Sequence, residues 1–179
     1  MTDSGHGNVT SWDDFLLRAT RLQEPIQLAG IEFEEALKML QSSKSVSQTG
    51  LSLARIGQRI WNSTSSWPDL ARSETANRAR VFIESGLILE SEQGEMWRTL
   101  GELCHFQGEH SRAVEAYGRY LEENPRNVAS RAEMASSMFR MTRFESAYRE
   151  ARRVIDEADS TVDSDRWAKE LAERILAGK

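Results

Sequence analysis

The chain has 179 residues, of which 39% are hydrophobic and 28% charged, and its 28 acidic and 23 basic side chains leave a formal net charge of −5. This composition is typical of a globular protein rather than a disordered one, and the acidic balance argues against nucleic acid as a partner, because binding to phosphates requires a basic surface. The single cysteine cannot form an internal disulfide, and no apolar run reaches the roughly 18 residues of a membrane span. We therefore expect a cytoplasmic protein without membrane insertion.

The first quarter of the chain carries only weak patterns. Residues 1–9 are polar and unpatterned, which predicts a disordered tail. Residues 10–49 predict an N-terminal helical pair, since apolar residues recur at helical spacing on both sides of Pro25. The serine-rich stretch Gln41 to Thr49 is predicted to be a loop that ends this pair.

Residues 50–92 predict a second helical pair with a long connection. Apolar residues follow a helical period from Leu51 to Trp61 and again from about Ser73 to Leu89. The intervening stretch, Asn62 to Ala71, is loop-like and contains Trp67 followed by a proline.

The clearest pattern lies in residues 93–127. Two apolar stripes at three- and four-residue spacing predict two helices, the first carrying Trp97, Leu100, Leu103 and Cys104 and the second Ala113, Tyr117, Tyr120 and Leu121. Gly101 leaves a gap in the first stripe, and we expect the small side chain of Ala113 to lie against it. Gly108 is expected to end the first helix in a left-handed conformation, and Pro125 prevents the second helix from continuing.

These spacings resemble the tetratricopeptide repeat, a helix–turn–helix unit of about 34 residues. The match comprises Trp97-x2-Leu100-Gly101-x2-Cys104, then Gly108, Ala113-x3-Tyr117, Leu121 and Pro125. The resemblance implies an array of antiparallel helix pairs in which residues 50–92 are a divergent repeat. It also implies that successive pairs stack into a right-handed superhelix.

The pattern returns in weaker form over residues 128–160. Moving forward by 34 residues, Ala135 replaces Gly101 and Ala147 replaces Ala113. Residues 161–179 predict a last helix from about Asp165, which would cover the end of the array, with an inward stripe of Trp167, Leu171, Ile175 and Leu176. The predicted fold is therefore all-α: an antiparallel helix-pair, TPR-like superhelical array with a C-terminal capping helix.

No residue pattern predicts catalysis, a metal site or a cofactor. Cys104 and His105 are adjacent and His110 is near, but consecutive helical residues point in different directions, so Cys104 is expected to be a buried small hydrophobe. The remaining histidine, His6, lies in the predicted tail. The phosphate-binding loop, the nucleophile elbow and the metalloprotease helix motif are all missing from the sequence. We expect a protein that is not an enzyme.

The positions of the tryptophans relative to the predicted apolar stripes indicate which of them are buried. Trp12, Trp97 and Trp167 fall on apolar stripes and are expected in the core. Trp61 ends its helix beside the predicted loop and Trp67 lies inside that loop, and each could equally be a plug over the core or an exposed anchor.

The resemblance also implies a binding surface, because in this family the first helices of successive repeats line a concave groove for a peptide or a partner's helix. On this sequence the groove positions are Ala54, Gln58 and Trp61 of the first unit, Arg98, Glu102, His105 and Phe106 of the next, and Ala132, Ser136, Phe139 and Arg140 of the last. Relatives that bind a C-terminal carboxylate hold it with a clamp of lysine and asparagine side chains. Glu102 stands where one such asparagine would be, so this clamp is not expected here. The protein's own terminal segments could instead fill the groove.

The expected function is a non-catalytic protein–protein interaction module, such as an adaptor, assembly factor or chaperone. Aromatic side chains would bury apolar residues of the partner, and Arg98 and Arg140 would orient acidic or carbonyl groups. Two alternatives are a fixed structural subunit of a larger assembly and, more remotely, an enzyme. The sequence leaves the partner and the oligomeric state open.

Overall fold

The computed structural model describes the backbone of residues 46–63 and 69–178 and the side chains of residues 50–62 and 75–178. The predicted tail, most of the predicted N-terminal pair, Trp12 and Trp67 lie outside these residues. The described ranges contain helices and no strand, which confirms the all-α prediction for them. The helices are α1 (Val46–Ser63), α2 (Asp69–Leu89), α3 (Gly94–Phe106), α4 (His110–Glu123), α5 (Val128–Arg140), α6 (Phe144–Glu157) and α7 (Asp163–Leu176). Among the helices described, none has the length and apolar character needed to cross a bilayer.

Contacts divide the described residues into two compact units, the first ending at Gln93 and the second beginning at Gly94. In the first unit α1 begins at Val46, inside the stretch predicted to be a loop, and α2 begins at Asp69, before the predicted Ser73. Tertiary packing overrides the weak helix propensity of the serines, because α1 and α2 meet backbone to backbone. A Cβ atom at Gly86 would lie 2.5 Å from the carbonyl oxygen of Gly50.

The second unit contains two helix pairs of equal dimensions. Every boundary of α3 and α4 recurs 34 residues later in α5 and α6, at positions 94 and 128, 106 and 140, 110 and 144, and 123 and 157. The helices of each pair pack on each other, and α4 also packs on α5. The second unit therefore has a structural period of 34 residues, followed by α7.

Inside the first of these pairs, the notch at Gly101 is filled by Tyr117. A Cβ atom at Gly101 would lie 2.7 Å from Cδ1 and from Cε1 of the Tyr117 ring, and Tyr117 is fully buried. The expectation that Ala113 fills this notch is therefore wrong: the gap admits an aromatic ring edge rather than a second small residue. Gly108 does end the helix as predicted, with φ of +77°.

The last helix, α7, packs on α5 and α6 through small side chains. The buried cluster that these three helices share consists of Val128, Ala132, Ala135, Ala147, Ala151, Val154, Ala168, Ala172 and Ile175. Trp167, predicted to face the core, is 42% exposed. The inward face of α7 is rotated toward its alanines, because they let its backbone approach α5 and α6 more closely than a tryptophan would.

Candidate functional site

The predicted groove positions of the second unit come from α3 and α5, which lie side by side. His105 Nδ1 on α3 is 2.8 Å from Ser137 Oγ on α5, so a hydrogen bond joins the two helices. We call this region the α3–α5 face and define it by Arg98, Glu102, His105 and Phe106 of α3 and Glu133, Ser136, Ser137, Phe139 and Arg140 of α5.

One half of the α3–α5 face is a cluster of ionisable side chains. Arg98 forms ion pairs with Glu102 and, at 3.0 Å from Nε, with Oε2 of Glu95. The hydroxyl of Tyr117 donates a hydrogen bond of 2.5 Å to Oε2 of Glu133. Burial raises the pKa of Glu133 to about 7, even though the hydrogen bond from Tyr117 acts in the opposite direction. The carboxyl group of Glu133 therefore changes charge near neutral pH.

The two arginines predicted to orient a partner differ in their ion pairing. The guanidinium of Arg98 is occupied by two carboxylates of its own helix. Arg140 is exposed, and no carboxylate of the described residues pairs with it. Of the two, Arg140 is the one available to bind a partner's carboxylate.

The other half of the face carries two histidines close to Arg140. The rings of His105 and His110 have centroids 5.3 Å apart. Burial lowers the pKa of both histidines, and the positive charge of Arg140 lowers both further. Both are therefore neutral at pH 7. Nδ1 of His110 is buried and makes no hydrogen bond to any of the described residues.

Next to Arg140 the chain turns from α5 into α6, and aromatic rings meet at this turn. The rings of Phe139 and Phe144 pack edge to face with centroids 5.2 Å apart, and the ring of Tyr148 stacks on Phe144 at 6.3 Å. Phe144 is 44% exposed. We call residues 139–144 together with Tyr148 the α5–α6 corner.

The corner contains a strained residue. Thr142 has φ of +59°, and the equivalent residue of the preceding turn, 34 positions earlier, is Gly108. A β-branched residue rarely adopts the left-handed conformation. A hydrogen bond of 2.7 Å from its hydroxyl to the carbonyl oxygen of Met141 accompanies this conformation.

Replacing Thr142 by glycine is therefore expected to raise the free energy of unfolding by about 1 kcal/mol, because glycine adopts this conformation without steric cost. The reverse change, Gly108→Thr, is expected to lower it by a similar amount. Urea unfolding followed by circular dichroism measures both. Equal stability of the two variants and the wild type would show that the left-handed conformation carries no strain.

A second cluster, around Arg131, holds the α4–α5 turn to α6. Arg131 is buried and donates hydrogen bonds of 3.0 Å to Oε2 of Glu150 and 2.5 Å to the carbonyl oxygen of Pro125. Oε2 of Glu157 lies 3.8 Å from its Nε. Since two carboxylates already compensate this arginine, we assign the cluster a structural role.

The remaining predicted positions are partly or fully buried. Trp61 lies on α1, in the first unit, and is 5% exposed, while Ala54 and Ala132 are completely buried. Phe106 and Ser136 are half-buried on α3 and α5. Sequence reasoning missed the side chains that join the helices or form the corner, namely Tyr117, Glu133, Ser137, Arg143, Phe144 and Tyr148. The signal for the corner was the Phe-Arg-x-x-Arg-Phe pattern of residues 139–144, which spans the turn between α5 and α6.

Cys104 is fully buried. Within the part of the chain that the structure describes, no three histidine, cysteine or acidic side chains are grouped so that they could hold a metal ion. No protein-family model matches the sequence, and a search of curated proteins finds no similar one.

Proposed function

We propose that this chain is a non-catalytic interaction module that holds a segment of a partner protein on the α3–α5 face. The main support is a contact between different helix pairs: Nδ1 of His105 on α3 lies 2.8 Å from Oγ of Ser137 on α5, and Arg140 at the end of α5 is near enough for its charge to lower the pKa of His105. Two successive helix pairs thus contribute to one surface. A peptide or helix of a partner that crosses both pairs would contact this surface continuously.

The 34-residue period supports the same proposal for the fold. A tetratricopeptide-like array consists of repeated helix pairs of equal length. The two pairs of this unit have equal lengths, and each has a left-handed residue at the same position of its turn. In such an array the first helix of each pair faces the groove. Here these helices would be α3 and α5, with α7 closing the end.

The double variant Phe106→Ala/Phe139→Ala is expected to weaken capture of the partner by about tenfold or more, since aromatic anchors dominate protein interfaces. A photo-crosslinking amino acid at Ser136, used in the native cell extract, measures capture. Crosslinkers at the exposed Arg119 of α4 and Arg152 of α6 are the positional controls.

The matched control variant is Trp167→Ala, which removes an exposed aromatic side chain from α7. Because Phe139 also packs against the buried cluster, the melting temperature of each variant must be measured with its binding. The proposal would be wrong if all three crosslinking positions captured the same proteins, or if the folded double variant captured the partner as well as the wild type does.

The exposed side chains at the start of α7 favour a second candidate, a fixed subunit of a larger assembly. Val162 is 45% exposed and Trp167 is 42% exposed, and large apolar side chains at one helix end are suited to a permanent interface. A subunit held there would copurify with the Phe106→Ala/Phe139→Ala variant and be lost from Trp167→Ala.

A further inference from the structure

The α5–α6 corner combines two exposed arginines with a single neighbouring acidic side chain. Carboxylates of the described residues pair with five arginines of this unit, namely Arg98, Arg112, Arg131, Arg153 and Arg166. Arg140 and Arg143 are exposed, and none of the described carboxylates pairs with either of them. Glu145 is the one acidic residue between positions 139 and 148. The corner therefore carries uncompensated positive charge on a chain whose net charge is −5.

An exposed apolar side chain lies in the same turn of the chain as these arginines. Phe144 is 44% exposed although its ring packs on Phe139 and Tyr148. One side of the ring is thus supported by neighbouring rings while the rest remains accessible to a ligand. A rigid aromatic side chain of this kind, close to arginines, has the composition of an interface hot spot.

We infer that the α5–α6 corner binds an acidic segment of a partner protein, in which an aromatic or aliphatic residue is flanked by Asp or Glu. The guanidinium groups of Arg140 and Arg143 form charge-assisted hydrogen bonds with the flanking carboxylates. The apolar residue packs on the exposed part of Phe144. This inference rests on the proposed function in that the partner is a protein segment, and it adds where that segment is anchored and what its chemistry is.

The same observations argue against a nucleic acid at the corner. Tight binding to a phosphate backbone requires the neutralisation of many phosphates, whereas the corner offers two arginines beside the carboxylate of Glu145. His105 and His110 add little charge at pH 7, because burial and the charge of Arg140 lower the pKa of each. Two arginines flanking one apolar surface fit a short acidic motif.

The test is a selection of random 16-residue peptides, displayed on phage, against the immobilised full-length chain. We expect the enriched peptides to carry a net negative charge and an aromatic or aliphatic residue between acidic ones. The Kd of the best synthetic peptide, measured by fluorescence anisotropy, is expected to rise about tenfold or more in Arg140→Glu/Arg143→Glu, because like charges then face each other.

Two matched controls accompany this measurement. Arg119→Glu/Arg152→Glu makes the same change in net charge at exposed positions of α4 and α6 and is expected to alter the Kd by no more than about twofold, since salt screens distant charges. Phe144→Ala is expected to weaken binding, whereas Trp167→Ala, which removes an equally exposed aromatic side chain, is not.

The inference is overturned if the enriched peptides are neutral or basic, if both double variants weaken an acidic peptide equally, or if no peptide is enriched. It is also overturned if a labelled single-stranded oligonucleotide binds the wild type and is lost from Arg140→Glu/Arg143→Glu. In each case the proposed function stands as long as crosslinking at Ser136 captures a partner that Phe106→Ala/Phe139→Ala loses. If that crosslinking failed as well, the proposed function itself would be wrong.

Discussion

Replacement of Gly101 by leucine is expected to lower the free energy of unfolding by about 3 kcal/mol, at the upper end of what overpacking a core usually costs. A single Cβ atom at this position would already lie 2.7 Å from two carbon atoms of the Tyr117 ring. The ring cannot move aside easily, because it is fully buried and its hydroxyl is bound to Glu133. Urea unfolding followed by circular dichroism gives the change.

Gly118 provides a matched control on the facing helix of the same pair. It lies inside α4, and a Cβ atom there would meet nothing within 4 Å. Gly118→Ala should therefore raise the free energy of unfolding by about 0.5–1 kcal/mol, the usual gain for alanine over glycine in a helix. Gly101→Ala should lower it despite the same gain in helix propensity. If both alanine variants were stabilised, the contact between Gly101 and Tyr117 would be wrong.

A second large effect is expected from Glu133, whose pKa is raised by burial from 4.5 to about 7. The folded protein then binds this proton more tightly than the unfolded chain does. The stability that protonation contributes is complete below about pH 4.5 and is lost as the pH rises through 7. The loss amounts to about 3 kcal/mol at most, since one pKa unit corresponds to about 1.4 kcal/mol.

Glu133→Gln should abolish this part of the pH dependence and make the protein more stable than the wild type at pH 8, because glutamine keeps an acceptor for Tyr117 without a buried charge. Tyr117→Phe removes the donor that stabilises the carboxylate, so the pKa of Glu133 should rise further, and the loss of stability should extend to higher pH and become larger. Glu115→Gln, on the exposed side of α4, controls for the loss of one negative charge. Chemical unfolding at several pH values between 5 and 8 measures these effects. A wild type and a Glu133→Gln variant with parallel profiles would contradict the assignment.

The helices of the second unit could be predicted because their signals are local. Apolar spacing predicted α3 and α4, and Gly108 predicted the turn between them, because the residue that ends a helix often adopts the left-handed conformation that favours glycine. The predictions that failed depended on contacts between helices. Spacing alone cannot show that Tyr117 rather than Ala113 fills the notch at Gly101, or that the inward face of α7 excludes Trp167.

The candidate site was predictable in its helices but not in its chemistry. Arg98 and Arg140 are both predicted groove residues, yet Arg98 is paired with acidic residues of its own helix and Arg140 is paired with none of the described carboxylates. The raised pKa of Glu133 depends on burial, which no motif encodes. The α5–α6 corner arises because two phenylalanines on different helices approach each other across the turn.

The alanines that join α5, α6 and α7 also affect how this region responds to temperature. Six of the nine residues in its buried cluster are alanines, so unfolding exposes less apolar surface here than a leucine-rich core would. The heat capacity of unfolding depends mainly on that surface. The free energy of unfolding of these three helices therefore curves only weakly with temperature, and cooling weakens their hydrophobic stabilisation only slightly.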